Sequence, residues 1–420
     1  MDETLEGRVN IFTLDNGIRV VHKQVTNTKI LHCGIILDIG SRDETPEQYG
    51  IAHFWEHMAF KGTKRRKAYH IINSLDSVGG ELNAYTTKEK VCFYASVLDS
   101  FDDKAVELLT DITFNANFPQ KQLDKERQVI LEEMAMYEDT PEDSIQDEMD
   151  EIVFKGHSMA HNILGTRENV KSFKRQNFTD FINDNINTDR IVVSFVGNLP
   201  LKRINRLVNK HLASIPRQNF GKTRKVFDHY SAEHITQNKE IMQAHFSMAK
   251  PTFPIGHEKR IPFAMLVNLL GGPAMTSRLN LALRERLGYV YGIDAQYHAY
   301  SNTGLLSFMF ATEKKNLKRS VNVVNREIKR LKDTKLGKVQ LHSLKEQMMG
   351  HLAMAAENNV GMMLSIGKSL LDLGKINSID DVFKQIQIVS AAELQELAND
   401  EFDLDAMSTL TYLPKNNGVY

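Results

Sequence analysis

Within five consecutive residues, His53-Phe54-Trp55-Glu56-His57, the chain carries two imidazoles and a carboxylate. On a helix, positions i, i+3 and i+4 share a face, so all three would project into one small volume. That set can hold a metal ion. Zinc takes tetrahedral nitrogen, oxygen or sulfur ligands, and a hydrolytic site keeps three positions for protein and one for water. His53 and His57 would give two of the three. Glu56 would stand beside the metal, placed to take a proton from the bound water, whose pKa zinc lowers to about 7.

The third ligand has to come from another rigid element, and residues 121–137 (KQLDKERQVILEEMAMY) supply one. Strong helix formers run through this stretch, with Leu123, Val129, Ile130 and Met134 at mixed three- and four-residue spacings. Glu126 and Glu133 lie two turns apart on one face. We assign Glu133 as the ligand and Glu126 as a partner that orients a histidine or the ligand helix. Glu132 competes for the ligand role, offset by ~100° around the helix.

A histidine pair four apart is often surface or core decoration. Here its order with the glutamate, HxxEH, is the inverse of the commoner HExxH of zinc peptidases. Residues 50–63 (GIAHFWEHMAFKGT), 79–86 (GGELNAYT) and 126–133 (ERQVILEE) together closely resemble the pitrilysin, or insulinase-type, family of zinc peptidases. Residues 163–166 (ILGT) and 277–291 (SRLNLALRERLGYVY) extend the resemblance over nearly the whole chain. It implies that His53, His57 and Glu133 bind one zinc ion and that Glu56 is the base. It also implies an arginine–tyrosine pair that handles substrate, matching Arg284 and Tyr291, with Arg278 and Tyr289 as alternatives. An arginine can hold a peptide carbonyl or carboxylate by forked hydrogen bonds, and a tyrosine hydroxyl can stabilise an oxyanion. Arg284 could instead form only surface pairs with Glu285 and its neighbours.

These residues need a scaffold, and the chain reads as one unit used twice. The first half opens with strand-like 11–25 and 30–37 and turns into the His53 helix. The second opens with strand-like 240–249 and enters an apolar helix at 263–270 that carries no ligand. Each half closes on a helix and a strand: 178–185 then 191–196, and 391–399 then 407–412. The expected fold class is α+β, with two homologous domains, each an antiparallel-rich β-sheet with helices packed on one side. The expected boundaries are 1–216 for the zinc-binding catalytic domain, 217–234 for a basic polar linker, and 235–420 for a second domain without a zinc site. Residues 79–94 read as a turn and a strand pair. Its edge, around Asn83 and Ala84, could bind an extended peptide by strand addition, or the pair could be an ordinary buried hairpin.

Composition narrows the function classes. At 420 residues the chain exceeds one ordinary core. Lys and Arg number 52 against 53 acids, which leaves no net field to favour nucleic acid or a membrane. Cys33 and Cys92 cannot make a disulfide scaffold and sit in apolar runs, as buried thiols do. The acidic start, MDETLE, lacks the pattern of an export or transit signal, so a cytoplasmic location is expected. The acidic run 138–151 reads as a solvated helix start after Thr140-Pro141, and the methionines of 348–363 as core or inter-domain packing.

The expected function is that of a zinc endopeptidase acting on peptides or partly unfolded chains in a closed chamber. The alternative is a catalytically silent subunit of the same fold. Long members of the family carry four such domains, so the resemblance implies that this two-domain chain is a homodimer. Arg284 and Tyr291 of one protomer would then complete the zinc site of the other.

Overall fold

The computed structural model describes residues 9–220 and 223–415; the acidic start lies outside them. Its strands are β1 (Val9–Thr13), β2 (Arg19–Gln24), β3 (Ile30–Leu37), β4 (Glu81–Thr86), β5 (Val91–Leu98), β6 (Ile191–Gly197), β7 (His234–Lys239), β8 (Ala244–Thr252), β9 (Val290–Ala299), β10 (Gly304–Thr312) and β11 (Ser408–Pro414). They form two sheets, β1-β2-β6-β3-β5-β4 and β7-β11-β8-β10-β9. Apart from β1 the two orders are the same, with one parallel pair in each, β2 with β6 and β7 with β11. The repeat seen in the sequence is therefore a repeat of topology.

In the first unit, α1 (Ile51–Ala59) and α2 (Ala68–Asp76) lie between β3 and β4, and α3 (Asp102–Phe114) and α4 (Gln120–Glu138) follow β5. Phe93 of β5 packs on Trp55 of α1 and is paired across the ladder with Ile35. Because side chains alternate along a strand, Gly34, Ile36 and Tyr94 face the other way. That face is also covered. Met363, Ile366 and Leu370 pack there against Val21, Val192 and Val196, and a Cβ on Gly34 would meet the Met363 sulfur at 3.1 Å. This explains why β6 is buried on both faces throughout.

The covering residues arrive from the second half of the sequence. After α5 (Pro141–Val153), α6 (Arg167–Ser172), α7 (Arg175–Asn185), α8 (Leu201–His211), α9 (Arg260–Gly271), α10 (Leu317–Asp333) and α11 (Lys338–Ala356), the chain enters α12 (Asn359–Leu373), capped by the Asn358 side chain. The last helices are α13 (Ile379–Ile388) and α14 (Ala391–Glu401). While α12 lies on the first sheet, α5 lies on the second, where Ile145, Met149 and Val153 pack against Ala249, Leu305, Leu410 and Tyr412. On the opposite face of that sheet, Phe246, Phe308 and Phe310 meet Phe263, Leu266 and Leu270 of α9.

The halves thus exchange a helix, and the compact units are not the contiguous domains 1–216 and 235–420. One comprises Met1–Met134, His161–Arg224 and Met354–Ile376, and the other Ala135–Ala160, Lys225–Ala353 and Asn377–Tyr420. One further expectation changes. The run 138–151 is an amphipathic helix with a buried face rather than a solvated start, and its Thr140 hydroxyl bonds back to the Met136 carbonyl without capping it. The methionine stretch does pack into cores, Met348 and Met349 of α11 against one and Met363 of α12 in another. Cys33 and Cys92 are buried free thiols whose pKa values burial pushes up to about 12. No helix among the described residues is long and apolar enough to cross a membrane.

Candidate metal centre

Helix α1 is short and held by the two residues between the first histidine and the glutamate. Phe54 packs edge-on to Phe178 at 5.1 Å between ring centroids, and Trp55 packs on Phe93 and Phe181. With both aromatics fully buried, the helix cannot rotate about its axis, and the opposite face must present His53, Glu56 and His57.

That face meets α4. Nε2 of His53 lies 3.8 Å from Glu133 Oε1, and Nε2 of His57 lies 3.6 Å from Glu133 Oε2. One ligand atom from each of these three residues fits within a 4.8 Å span. Glu132, on an exposed flank, is outside the cluster. Glu126 is nearly buried and accepts a hydrogen bond from His57 Nδ1 at 3.0 Å, which leaves the Nε2 lone pair directed at the cluster. Burial works against the Glu126 carboxylate, but His57 and Lys61, whose Nζ is 2.8 Å away, outweigh it and hold its pKa below the usual range.

The Glu56 carboxylate accepts a hydrogen bond from the Thr86 hydroxyl at 2.5 Å. Burial raises its pKa above that of an ordinary glutamate, an effect Thr86 and His57 only partly offset. The base candidate is thereby made more basic. Burial, and then His57, pushes His53 down to about 3, so its imidazole is neutral and able to ligate. Its Nδ1 is buried without a hydrogen-bond partner. Two imidazoles facing a carboxylate, one of them with an unsatisfied ring nitrogen, are a poor structural arrangement and a good zinc donor set.

Lys61 and Thr86 are participants that sequence reasoning did not assign. Lys61 is one turn beyond His57, and a buried glutamate needs a counter-charge, so its spacing carried a usable signal. Thr86 carried none, because its role depends on where β4 ends.

Asn83 and Ala84 lie on β4, which pairs only with β5 among the described strands, so the strand is an edge and not the interior of a hairpin stack. Its last residue is Thr86, so the open edge runs up to Glu56. Arg284 and Tyr291 belong to the other unit. Arg284 is in a π-helical turn (Asn280–Glu285), its guanidinium carbon 5.2 Å from the centre of the Tyr291 ring, and it also approaches Glu285 at 3.5 Å. Tyr291 is 90% exposed on the edge strand β9. The alternatives are less available: Tyr289 packs against the core, and Arg278 is half-buried.

Residues 19–167 match the family model for insulinase, peptidase family M16, and residues 172–348 match that for the peptidase M16 inactive domain. A Bacillus subtilis protein named as an uncharacterized zinc protease, YmxG, is 32% identical over 397 residues, 94% of this chain and 96% of the relative. The chain belongs to peptidase family M16. An uncharacterized zinc protease from Rickettsia bellii is 30% identical across 96% of this chain and 97% of its own length. Among solved structures, an M16 inactive domain from Pseudomonas fluorescens superposes with a TM-score of 0.90 at 16% identity, covering 97% of this chain and 98% of its own. A protease from Helicobacter pylori gives 0.87 at 19% identity, covering 97% and 100%. These structures share the M16 fold. The inactive-domain match falls on the half whose helix α9 carries no ligand, while the insulinase match contains the whole His53–Glu133 cluster.

Proposed function

We propose that this M16 chain is a zinc endopeptidase that hydrolyses peptides or partly unfolded polypeptides in a closed chamber, with His53, His57 and Glu133 as ligands to one zinc ion and Glu56 as the base. The observation that carries the reading is the convergence of three ligand atoms within 4.8 Å, with the half-buried Glu56 carboxylate, its pKa raised, beside them. A bound zinc ion would supply a Lewis acid that polarises the scissile carbonyl and acidifies water. Glu56, oriented by Thr86, takes the proton of the attacking water and returns it to the leaving amine. Glu126 keeps His57 in the ligating tautomer, with Lys61 holding the carboxylate charged.

The edge of β4 around Asn83 and Ala84 takes the substrate in extended form through backbone hydrogen bonds, which carry little sequence preference. Arg284 and Tyr291 act on the substrate in trans within a cytoplasmic homodimer, the guanidinium holding a carbonyl and the phenol steadying the oxyanion. The intact ligand set disfavours a catalytically silent subunit, which would gain nothing from keeping buried, imperfectly paired polar groups.

Metal analysis joined to peptide digestion read by mass spectrometry tests the reading. The purified chain should hold about one zinc ion and cleave peptides at internal bonds. Glu56→Gln should keep its zinc and its peptide binding and lose nearly all turnover, because proton transfer is removed without disturbing the ligands. A fully active Glu56→Gln enzyme would sink the mechanism.

A further inference from the structure

Helix α1 starts at Gly50, which has no side chain to cap it and sits at φ +97°, a conformation glycine alone adopts without strain. The cap comes instead from Glu44, six residues earlier. Its side chain is fully buried; Oε2 accepts the Gly50 amide at 2.9 Å and Oε1 the Ala52 amide at 2.8 Å. A carboxylate at a helix N-terminus is favoured by the helix dipole as well as by these bonds. His161 holds the carboxylate from its other side, Nε2 donating to Glu44 Oε2 at 3.1 Å and to the Ser41 carbonyl at 2.9 Å.

The His161 ring is itself locked. It stacks on Tyr49 at 3.8 Å between centroids and 13° between planes, and Lys88 donates to its carbonyl at 2.6 Å. Behind it, Gly165 presses against the backbone of Tyr49 and Gly50 so closely that a Cβ there would lie 2.0 Å from the Tyr49 carbonyl oxygen. The segment from His161 to Gly165 therefore clamps the start of α1, a role the metal chemistry leaves unassigned. Since His53 follows Ala52 directly, a displaced first turn is a displaced ligand.

We infer that Glu44 and His161 are positioning residues of the metal centre, a buried carboxylate–imidazole pair that fixes the first turn of α1 and with it the His53 ligand. The inference rests on the zinc-peptidase reading for its zinc-affinity and activity arms; the exchange arm stands without it.

Four variants decide it: Glu44→Gln, His161→Phe, His161→Gln, and, as a control, Asp102→Asn, which weakens a half-buried ion pair with Arg203 in the same unit. Three quantities are measured. They are amide hydrogen exchange of residues 50–54 without metal, zinc affinity by competition with a chromophoric chelator, and kcat and KM on a peptide the wild type cleaves. Glu44→Gln and His161→Phe, which keeps the stacking but loses the donor, should speed exchange in the first turn of α1. They should weaken zinc binding and lower kcat by roughly 10- to 100-fold, with KM little changed. His161→Gln, which can still donate near the Nε2 position, should recover most of both. Asp102→Asn should lower the melting temperature without moving zinc affinity or exchange in α1.

The inference is overturned if Glu44→Gln and Asp102→Asn behave alike at matched stability, or if exchange in the first turn is unchanged. If Glu44→Gln does not fold, the two His161 variants carry the comparison. If the wild type cleaves no peptide, the peptidase reading fails alone, because amide exchange still decides this one.

Discussion

The bond from His57 to Glu126 gives a prediction whose size follows from its geometry. The bond is 3.0 Å long, its acceptor is an ionised carboxylate with only 8% of the side chain exposed, and Lys61 holds the second oxygen at 2.8 Å. A hydrogen bond to a charged group contributes about 1.5–3 kcal/mol, and tenfold in affinity corresponds to about 1.4 kcal/mol. Glu126→Ala removes the bond and frees His57 to adopt the tautomer that cannot ligate through Nε2, so zinc affinity should fall by roughly 10- to 100-fold. Glu126→Gln keeps an oxygen acceptor and loses only the charge, and should fall by about tenfold or less. Lys61→Met should cost less again, since the carboxylate and its bond to His57 remain. Competition with a chromophoric zinc chelator at neutral pH measures all three on one scale. A Glu126→Ala protein that binds zinc within about twofold of wild type would show that Glu126 does not set the His57 tautomer.

Other perturbations separate the remaining assignments. Glu133→Gln should strip most of the zinc while Glu132→Gln leaves it, as read by metal content after dialysis; the reverse would mean that the ligand register is off by one. Mixing Glu56→Gln chains with chains carrying Arg284→Ala and Tyr291→Phe should restore peptide cleavage if the pair acts in trans, because the mixed dimer holds one site with every group intact. A dead mixture, or a monomer at working concentration, rules that arrangement out. Met363→Ala should destabilise the unit containing Trp55 by about 2–5 kcal/mol in urea unfolding followed by the fluorescence of this single tryptophan. No change in that transition would mean that α12 does not support the first sheet.

The parts of the site that could be read from the sequence are those fixed by local geometry. His53, Glu56 and His57 share a face because of the helical repeat alone, and Glu126 and Glu133 share one for the same reason. Strand β3 was equally legible as an apolar run interrupted only by His32 and Gly34, and its observed limits, Ile30–Leu37, are those expected. Strand β7 was not. Its sequence, HITQNK, alternates between half-buried and exposed at a sheet edge, and no strand was expected there: the second half was read to open with a strand at 240–249, which overlaps β8. Glu44 escaped because it lies six residues before the amide it caps, outside the usual N-cap position, and Thr86 and His161 because each acts through a contact between segments far apart in the chain. The domain limits failed on the same ground. An amphipathic pattern says that one face of α5 or α12 is buried, but it does not say against which sheet.

The duplicated topology also shows what the half with the histidine–glutamate cluster gives up. Both halves place a helix after their second long strand, α1 after β3 and α9 after β8. Helix α9 buries Phe263, Met265, Leu266, Val267 and Leu270, and its neighbours join it in a continuous apolar core. Helix α1 spends the corresponding space on two imidazoles and a carboxylate, one ring nitrogen of which lacks any partner. Buried polar groups that are incompletely bonded destabilise a fold, and the first unit offsets this with anchors around the helix: Phe54 and Trp55 below it, Glu44 and His161 at its start, Lys61 and Glu126 at its end. Those anchors would be superfluous for packing alone. They make sense if the helix must hold its ligand face still while the charge of a metal ion and a substrate comes and goes in front of it.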